Sequence, residues 1–126
     1  MADASTITAL QAIEVQLEAR RNELKQQLLR TNIPPAKSTD FRAQVRAQMS
    51  LIDAEIRRVN ARIADVSVAI AAGKIKPLAP AQVNSMKSAL NAVQKPIQAS
   101  ATVSDIVRAV GSVVGATAKA TTAAMS

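Results

Sequence analysis

Residues 45–70 read VRAQMSLIDAEIRRVNARIADVSVAI. Apolar side chains recur in this stretch at alternating steps of four and three residues, at Val45, Met49, Ile52, Ile56, Val59, Ile63, Val66 and Ile70. This seam places its apolar side chains on one helical face and is typical of coiled coils and long bundles. The stretch predicts a helix over about residues 39–72. Ser38, Thr39 and Asp40 are candidate N-caps, and Gly73 is a candidate C-terminal stop.

A second long helix is expected before it, at about residues 5–31. Its apolar stripe is interrupted at Arg20 and Arg21, and the stem of either arginine can lie along the stripe while its head stays in water. Pro34 and Pro35 cannot both lie in a helix interior, so they predict a loop between the two helices. A short loop makes the helices antiparallel neighbours, and residues 1–72 are therefore expected to form an αα-hairpin.

Residues 73–126 are expected to form a proline-punctuated linker and two shorter helices, at about 80–95 and 104–118. The first of these continues the seam pattern at Val83, Met86, Leu90 and Val93. The second is a candidate docking helix with Ile106, Val107, Val110, Gly111, Val114 and Gly115. From Ala116 onward the chain is rich in Ala, Thr and Ser, and we expect it to fray.

The expected fold is therefore all-α, a long antiparallel hairpin followed by two helices in a bundle or coiled-coil-like arrangement. We divide the chain into residues 1–72 and 73–126. A two-helix hairpin cannot bury both of its seams, so other helices must cover them. The last two helices can pack on the hairpin, or a second copy or another protein can supply the cover.

The charge is uneven along the chain. The net charge is +7, of which residues 1–72 contribute +2 (ten basic, eight acidic) and residues 73–126 contribute +5 (six basic, one acidic). In the hairpin, Glu18 and Arg21, Asp53 and Arg57, and Glu55 and Arg58 are spaced as neighbours on a solvated face. In the second half, the candidate anion contacts are Lys74, Lys76, Lys87 and Lys95.

The absent residue types exclude much chemistry. The chain has no His, Cys, Trp or Tyr, and Phe41 is its single aromatic residue. Thiolate and imidazole catalysis, disulfides and His/Cys metal sites are therefore excluded. No P-loop, dinucleotide or EF-hand motif is present. We expect no enzymatic activity, no catalytic residues, no metal and no cofactor.

The pattern favours a structural or assembly protein that acts by helix–helix association with itself or a protein partner, such as a component of a virion or a secretion apparatus. Two alternatives stay open. One is a basic protein that contacts nucleic acid phosphates. The other is a membrane-active or secreted protein that uses the last helix, whose Gly111–Gly115 spacing suits either packing on its own hairpin or docking.

No membrane span is expected, because Asp105 and Arg108 interrupt the most apolar stretch, whereas contact with a membrane surface stays open. The first residues lack a signal-peptide pattern, so synthesis in the cytoplasm is expected. Packaging into a virion or specialised secretion needs no such signal and stays open.

Overall fold

The computed structural model describes residues 4–74 and 77–124, and these form four α-helices. The helices are α1 (Ala4–Gln27), α2 (Pro35–Ala71), α3 (Pro80–Val93) and α4 (Val103–Ala123). They pack against one another, so the expected all-α fold is confirmed. Around the bundle, α1 lies between α2 and α3, while α4 closes the ring by packing on α2 and α3.

The first two helices are antiparallel. Near the start of α2, the Nε of Arg42 donates a hydrogen bond to the carbonyl of Leu28, just after the end of α1, at 3.2 Å. Further along α2, Asp53 pairs with Arg21 of α1 at 2.5 Å. Residue numbers thus rise along one helix as they fall along the other, which is the expected hairpin arrangement.

The last two helices also run antiparallel to each other. Ser85 near the start of α3 lines the same concave surface as Thr122 near the end of α4. Later in α3, Ala92 lines a second concave surface together with Gly111. Since Thr6 near the start of α1 lines a cavity with Met86 of α3, and the end of α3 meets Arg20, α3 runs parallel to α1.

The α2 seam lies inside the bundle of its own chain. Val45 is 1% exposed, and Ile52, Val59 and Val66 are fully buried. The alternate seam positions are half-buried against this core, at Met49, Ile56, Ile63 and Ile70. In α3, the seam positions Met86 and Val93 are buried and Val83 and Leu90 are half-buried. Burying one such aliphatic side chain stabilises the fold by roughly 1.5–3 kcal/mol.

The α2 helix begins earlier than the sequence predicted. Its first residue is Pro35, with Pro34 at the N-cap and no side-chain cap, so the prediction of an N-cap within residues 38–40 was wrong. Proline suits the first helical position, because its fixed φ is helical and the N–H it lacks would have no partner there. At the other end the expected stop is confirmed, since Gly73 has φ +75° and its N–H bonds Ile70 O at 3.0 Å.

Three other helix boundaries differ from the sequence predictions by one to four residues. Helix α1 ends at Gln27 rather than 31, and the next three N–H groups bond carbonyls three residues back. Helix α3 ends at Val93 rather than 95. Helix α4 begins at Val103 rather than 104, with Thr102 as its N-cap.

The largest departure is the end of α4, which continues to Ala123 instead of fraying after Ala116. Its last two turns are anchored in the core, where Thr117 and Ala120 are fully buried and Thr121 is 3% exposed. Small side chains let α4 approach its neighbours closely, so a segment of low hydrophobicity still packs as core.

Candidate helix-docking groove

A buried arginine of α1 holds the end of α3. Arg20 is 6% exposed, and its Nη1 donates to the carbonyl of Val93 at 2.9 Å. It also pairs with Glu23 at 2.5 Å, and the Oε1 of Glu23 accepts the N–H of Ile97 at 3.0 Å. The expectation that the head of this arginine stays in water was therefore wrong, because a helix carbonyl at the end of α3 needs a donor.

The end of α1 and the loop after it hold the segment between α3 and α4. The Nε2 of Gln27 donates to Gln98 O at 2.9 Å, and Arg30 donates to Ala101 O at 2.7 Å. The Arg30 guanidinium also lies 5.2 Å from the ring centroid of Phe41, which is buried at the loop end of the hairpin. Arg20, Glu23, Gln27 and Arg30, named here the polar ladder, thus have a structural role.

Helix α2 carries a buried carboxylate. Glu55 is 2% exposed and accepts a hydrogen bond from Arg58 at 2.6 Å, while its Oε2 has no hydrogen-bond partner among the described residues. Burial raises the pKa of this carboxyl above its ordinary value of 4.5, and Arg58 opposes the shift. The predicted contact between Glu55 and Arg58 is confirmed, but its carboxylate is buried instead of facing the solvent. The predicted Asp53–Arg57 pair is not seen, because Asp53 pairs with Arg21 of α1.

A long groove follows the outer side of the α3–α4 contact. Two concave surfaces, of about 580 and 450 Å³, share Ser85 and Lys119 as walls and so form one continuous depression. We name it the α3–α4 groove, and its walls include Ser85, Ser88 and Ala92 of α3 and Gly111, Gly115 and Lys119 of α4. Most of its walls are small side chains, so the groove is wide and open.

The two glycines of the groove are not explained by contacts within the chain. Gly111 and Gly115 lie in the middle of α4 and are exposed. A Cβ atom added at either position would meet nothing within 4 Å. Helix α4 does pack on its own hairpin, as one of the two interpretations predicted, but it does so through side chains such as Val110 and Val113 and not through the two glycines. Each glycine costs the helix roughly 0.5–1 kcal/mol relative to alanine, with no intrachain benefit.

The candidate docking helix is divided between two faces. Ile106 and Val110 are buried in the core, at 1% and 0% exposure, and Val114 is half-buried against it. On the outside lie Val107, which is 42% exposed, and the two glycines. The sequence thus predicted a docking face on this helix, and the structure brings only the outer three residues together on its surface.

Two cations on α4 lie on the glycine face, although neither is among the four candidate anion contacts that the sequence predicted. Lys119 follows Gly115 by four residues, and Arg108 precedes Gly111 by three. Residues three, four, seven or eleven apart share one face of a helix, so the two cations bracket the glycines. Both are exposed. The signal was present in the sequence as a basic residue at helical spacing on either side of G-x-x-x-G.

The candidate anion contacts do not form one patch. Lys87 borders a small apolar cavity of about 220 Å³ between α1 and α3. Lys95 is exposed just after α3, and Lys74 is exposed just after α2. Lys76 lies outside the described residues. The described lysines are therefore spread over different parts of the bundle surface.

The fold defines the protein as an all-α four-helix bundle with an open groove between its last two helices. Within residues 4–74 and 77–124, no helix is long and apolar enough to cross a membrane. No group of three or more acidic residues in that same part of the chain is placed to hold a metal ion. Comparison with family models, curated proteins and solved structures found no match to the chain.

Proposed function

We propose that the chain is a non-enzymatic assembly protein that binds another helix in the α3–α4 groove. The α2 seam is already covered by the other helices of the chain, so association needs an outward-facing surface. A virion or a secretion apparatus is the kind of larger complex in which such a subunit would act.

The observation that carries the proposal is the open space above Gly111 and Gly115. Two mid-helix glycines together cost roughly 1–2 kcal/mol of stability relative to alanine. Without side chains, however, they let a second helix approach α4 closely, in the manner of small residues at helix–helix contacts. On the α3 side of the groove, Ser88 and Ala92 are also small side chains that leave room for a second helix.

The test fills the groove and measures association. We expect the purified chain to self-associate between micromolar and millimolar concentration in sedimentation equilibrium, or to bind a neutral helical peptide. The peptide has about 20 residues, long enough to be helical in water, and presents alanine on one face and glutamine elsewhere. Gly111→Leu combined with Gly115→Leu should abolish either kind of binding.

The matched control is Ala61→Leu, at an exposed position of α2 outside the groove, which should leave association unchanged. Circular dichroism checks that each variant stays helical. A cooperatively folding monomer that binds no helical peptide would refute the proposal, and so would association that survives the double leucine variant.

A further inference from the structure

The partner chemistry of the α3–α4 groove can be inferred from its charges, on the basis of the proposed function. All four ion pairs among the described residues lie in α1 and α2. In the described chain beyond residue 76, Asp105 is the single acidic residue. Its carboxylate accepts the N–H of Thr102 at 3.1 Å, as half of the α4 capping box. This hydrogen bond lowers the pKa of the carboxyl, and Arg108 on the next turn also helps to lower it. Four cations, Lys87, Lys95, Arg108 and Lys119, still face this one carboxylate in residues 77–124, so this part of the chain has an excess of positive charge.

The positions of two of these cations are fixed by the helix that carries them. Arg108 and Lys119 are eleven residues apart on the glycine face of α4, which corresponds to about 16 Å along the axis. Lys119 also forms a wall of both parts of the groove. Lys119 thus lies where the two parts of the groove meet, and Arg108 lies one turn of α4 before Gly111, just beyond the groove walls. A helix seated along the glycine face of α4 would therefore pass both cations, with Gly111 and Gly115 between them.

We propose that the occupant is an acidic helix of a partner protein, with small residues where it meets Gly111 and Gly115. Its carboxylates lie about eleven residues apart, so that one meets Arg108 and the other meets Lys119. Either direction of the partner helix satisfies this spacing. Helices that pack at small crossing angles stay in register over such a length.

A helix suits these observations better than nucleic acid does. Two cations 16 Å apart give few phosphate contacts, and phosphate contacts supply most of the affinity of unspecific nucleic acid binding. The groove offers no aromatic side chain on which a base could stack. Phe41, the single aromatic residue of the chain, is buried and lines neither part of the groove. Low walls of Gly, Ala and Ser match the close approach of another helix.

The experiment measures binding of three helical peptides that share one alanine face and differ in charge placement. The first has two glutamates eleven residues apart, the second has the same glutamates nine residues apart and thus on opposite faces, and the third has glutamine instead. Fluorescence anisotropy with the full chain should show about tenfold tighter binding of the first than of the third, since each exposed pair contributes up to about fivefold.

The second peptide has the same net charge as the first, so it isolates register from general attraction. Relative to the glutamine peptide, it should therefore bind at most about threefold more tightly, against about tenfold for the first peptide. Arg108→Glu with Lys119→Glu should remove the preference for glutamate and create one for lysine peptides of the same spacing. Lys74→Glu, at an exposed site that lines neither part of the groove, is the control and should weaken the binding of both glutamate peptides slightly and by the same factor.

The outcomes separate this proposal from the proposed function. Equal binding of all three peptides would overturn the acidic partner while leaving helix docking intact. Equal binding of the two glutamate peptides would overturn the register. If no peptide binds and the chain does not self-associate, helix docking itself fails. Binding of duplex DNA that depends on Arg108 and Lys119 and displaces the first peptide would also overturn the proposal, in favour of phosphate recognition.

Discussion

Replacing Arg20 by methionine removes the buried cation of the polar ladder and keeps the length of its apolar stem. The carbonyl of Val93 then loses the hydrogen bond that Arg20 donates to it. Because Val93 is fully buried, water does not readily replace that donor. Glu23, with 23% of its side chain exposed, loses its ion-pair partner. The rest of the ladder stays in place, so the change isolates the contacts of one guanidinium.

The expected loss of stability follows from those contacts. Leaving a buried carbonyl without a donor costs about 1–3 kcal/mol, and losing a partly exposed ion pair adds about 0.5–1 kcal/mol. Arg20→Met should therefore lower the free energy of unfolding by about 2–4 kcal/mol. For a chain of this length, the melting temperature should fall by about 8–15 °C.

Urea and thermal unfolding followed by circular dichroism measure the global effect, and hydrogen exchange gives a local one. The N–H of Ile97 bonds Glu23 and should exchange faster when Glu23 loses Arg20. The adjacent Arg21→Met is the control, since Arg21 is 41% exposed and should cost at most about 1 kcal/mol. Equal losses in the two variants would show that Arg20 has no special role.

Three further changes test other parts of the structure. Because the folded pKa of Glu55 is raised, its ionisation makes the fold less stable as pH rises above about 4.5. Glu55→Gln should therefore gain stability relative to the parent between pH 4 and pH 7, and a difference independent of pH in urea titrations would contradict this. Thr102→Ala removes the α4 cap that Asp105 shares and should cost about 1 kcal/mol in thermal melts, whereas no loss would show that the cap is dispensable. Ending the chain at Ala116 removes the buried last turns of α4 and should abolish cooperative unfolding, while an unchanged melting curve would restore the fraying expected from the sequence.

The core of the fold could be predicted because it depends on periodic burial. The steps of four and three that place Val45, Ile52, Val59 and Val66 on one helical face do not depend on which neighbour covers them. Those four side chains lie in the bundle core. The turn at Gly73 could also be predicted, since a positive φ favours glycine.

The contacts that hold the two halves together had no such signal. Arg20 bonds a carbonyl 73 residues away. The steps of three and four through Leu10, Leu17 and Leu24 place Arg20 rather than Arg21 on the buried face of α1, but they do not show which distant group it bonds. Glu55 shared the charge spacing of a solvated pair, yet it lies on a covered face of α2. The end of α4 was missed because small residues carry a weak hydrophobic pattern even where they pack as core.

The groove was predictable only in part. The G-x-x-x-G spacing identified the helix, and packing on the hairpin was the favoured interpretation over docking. The helix does pack on the hairpin, but only the positions of the neighbouring atoms show that the two glycines face open space. The place of Lys119 in the groove could not be predicted, because it depends on how α3 packs against α4, which puts Lys119 and Ser85 on both concave surfaces.

The polar ladder also sets an order of events during synthesis. Its contacts join residues 71 to 74 positions apart. At about 5–20 residues per second, the α1 side chains wait roughly 4–15 s for their backbone partners to be made. During that interval the α1–α2 hairpin can form from its own local contacts, with its arginines hydrated. We therefore expect a nascent hairpin that is complete on one side and still open on the side where α3 and α4 will dock.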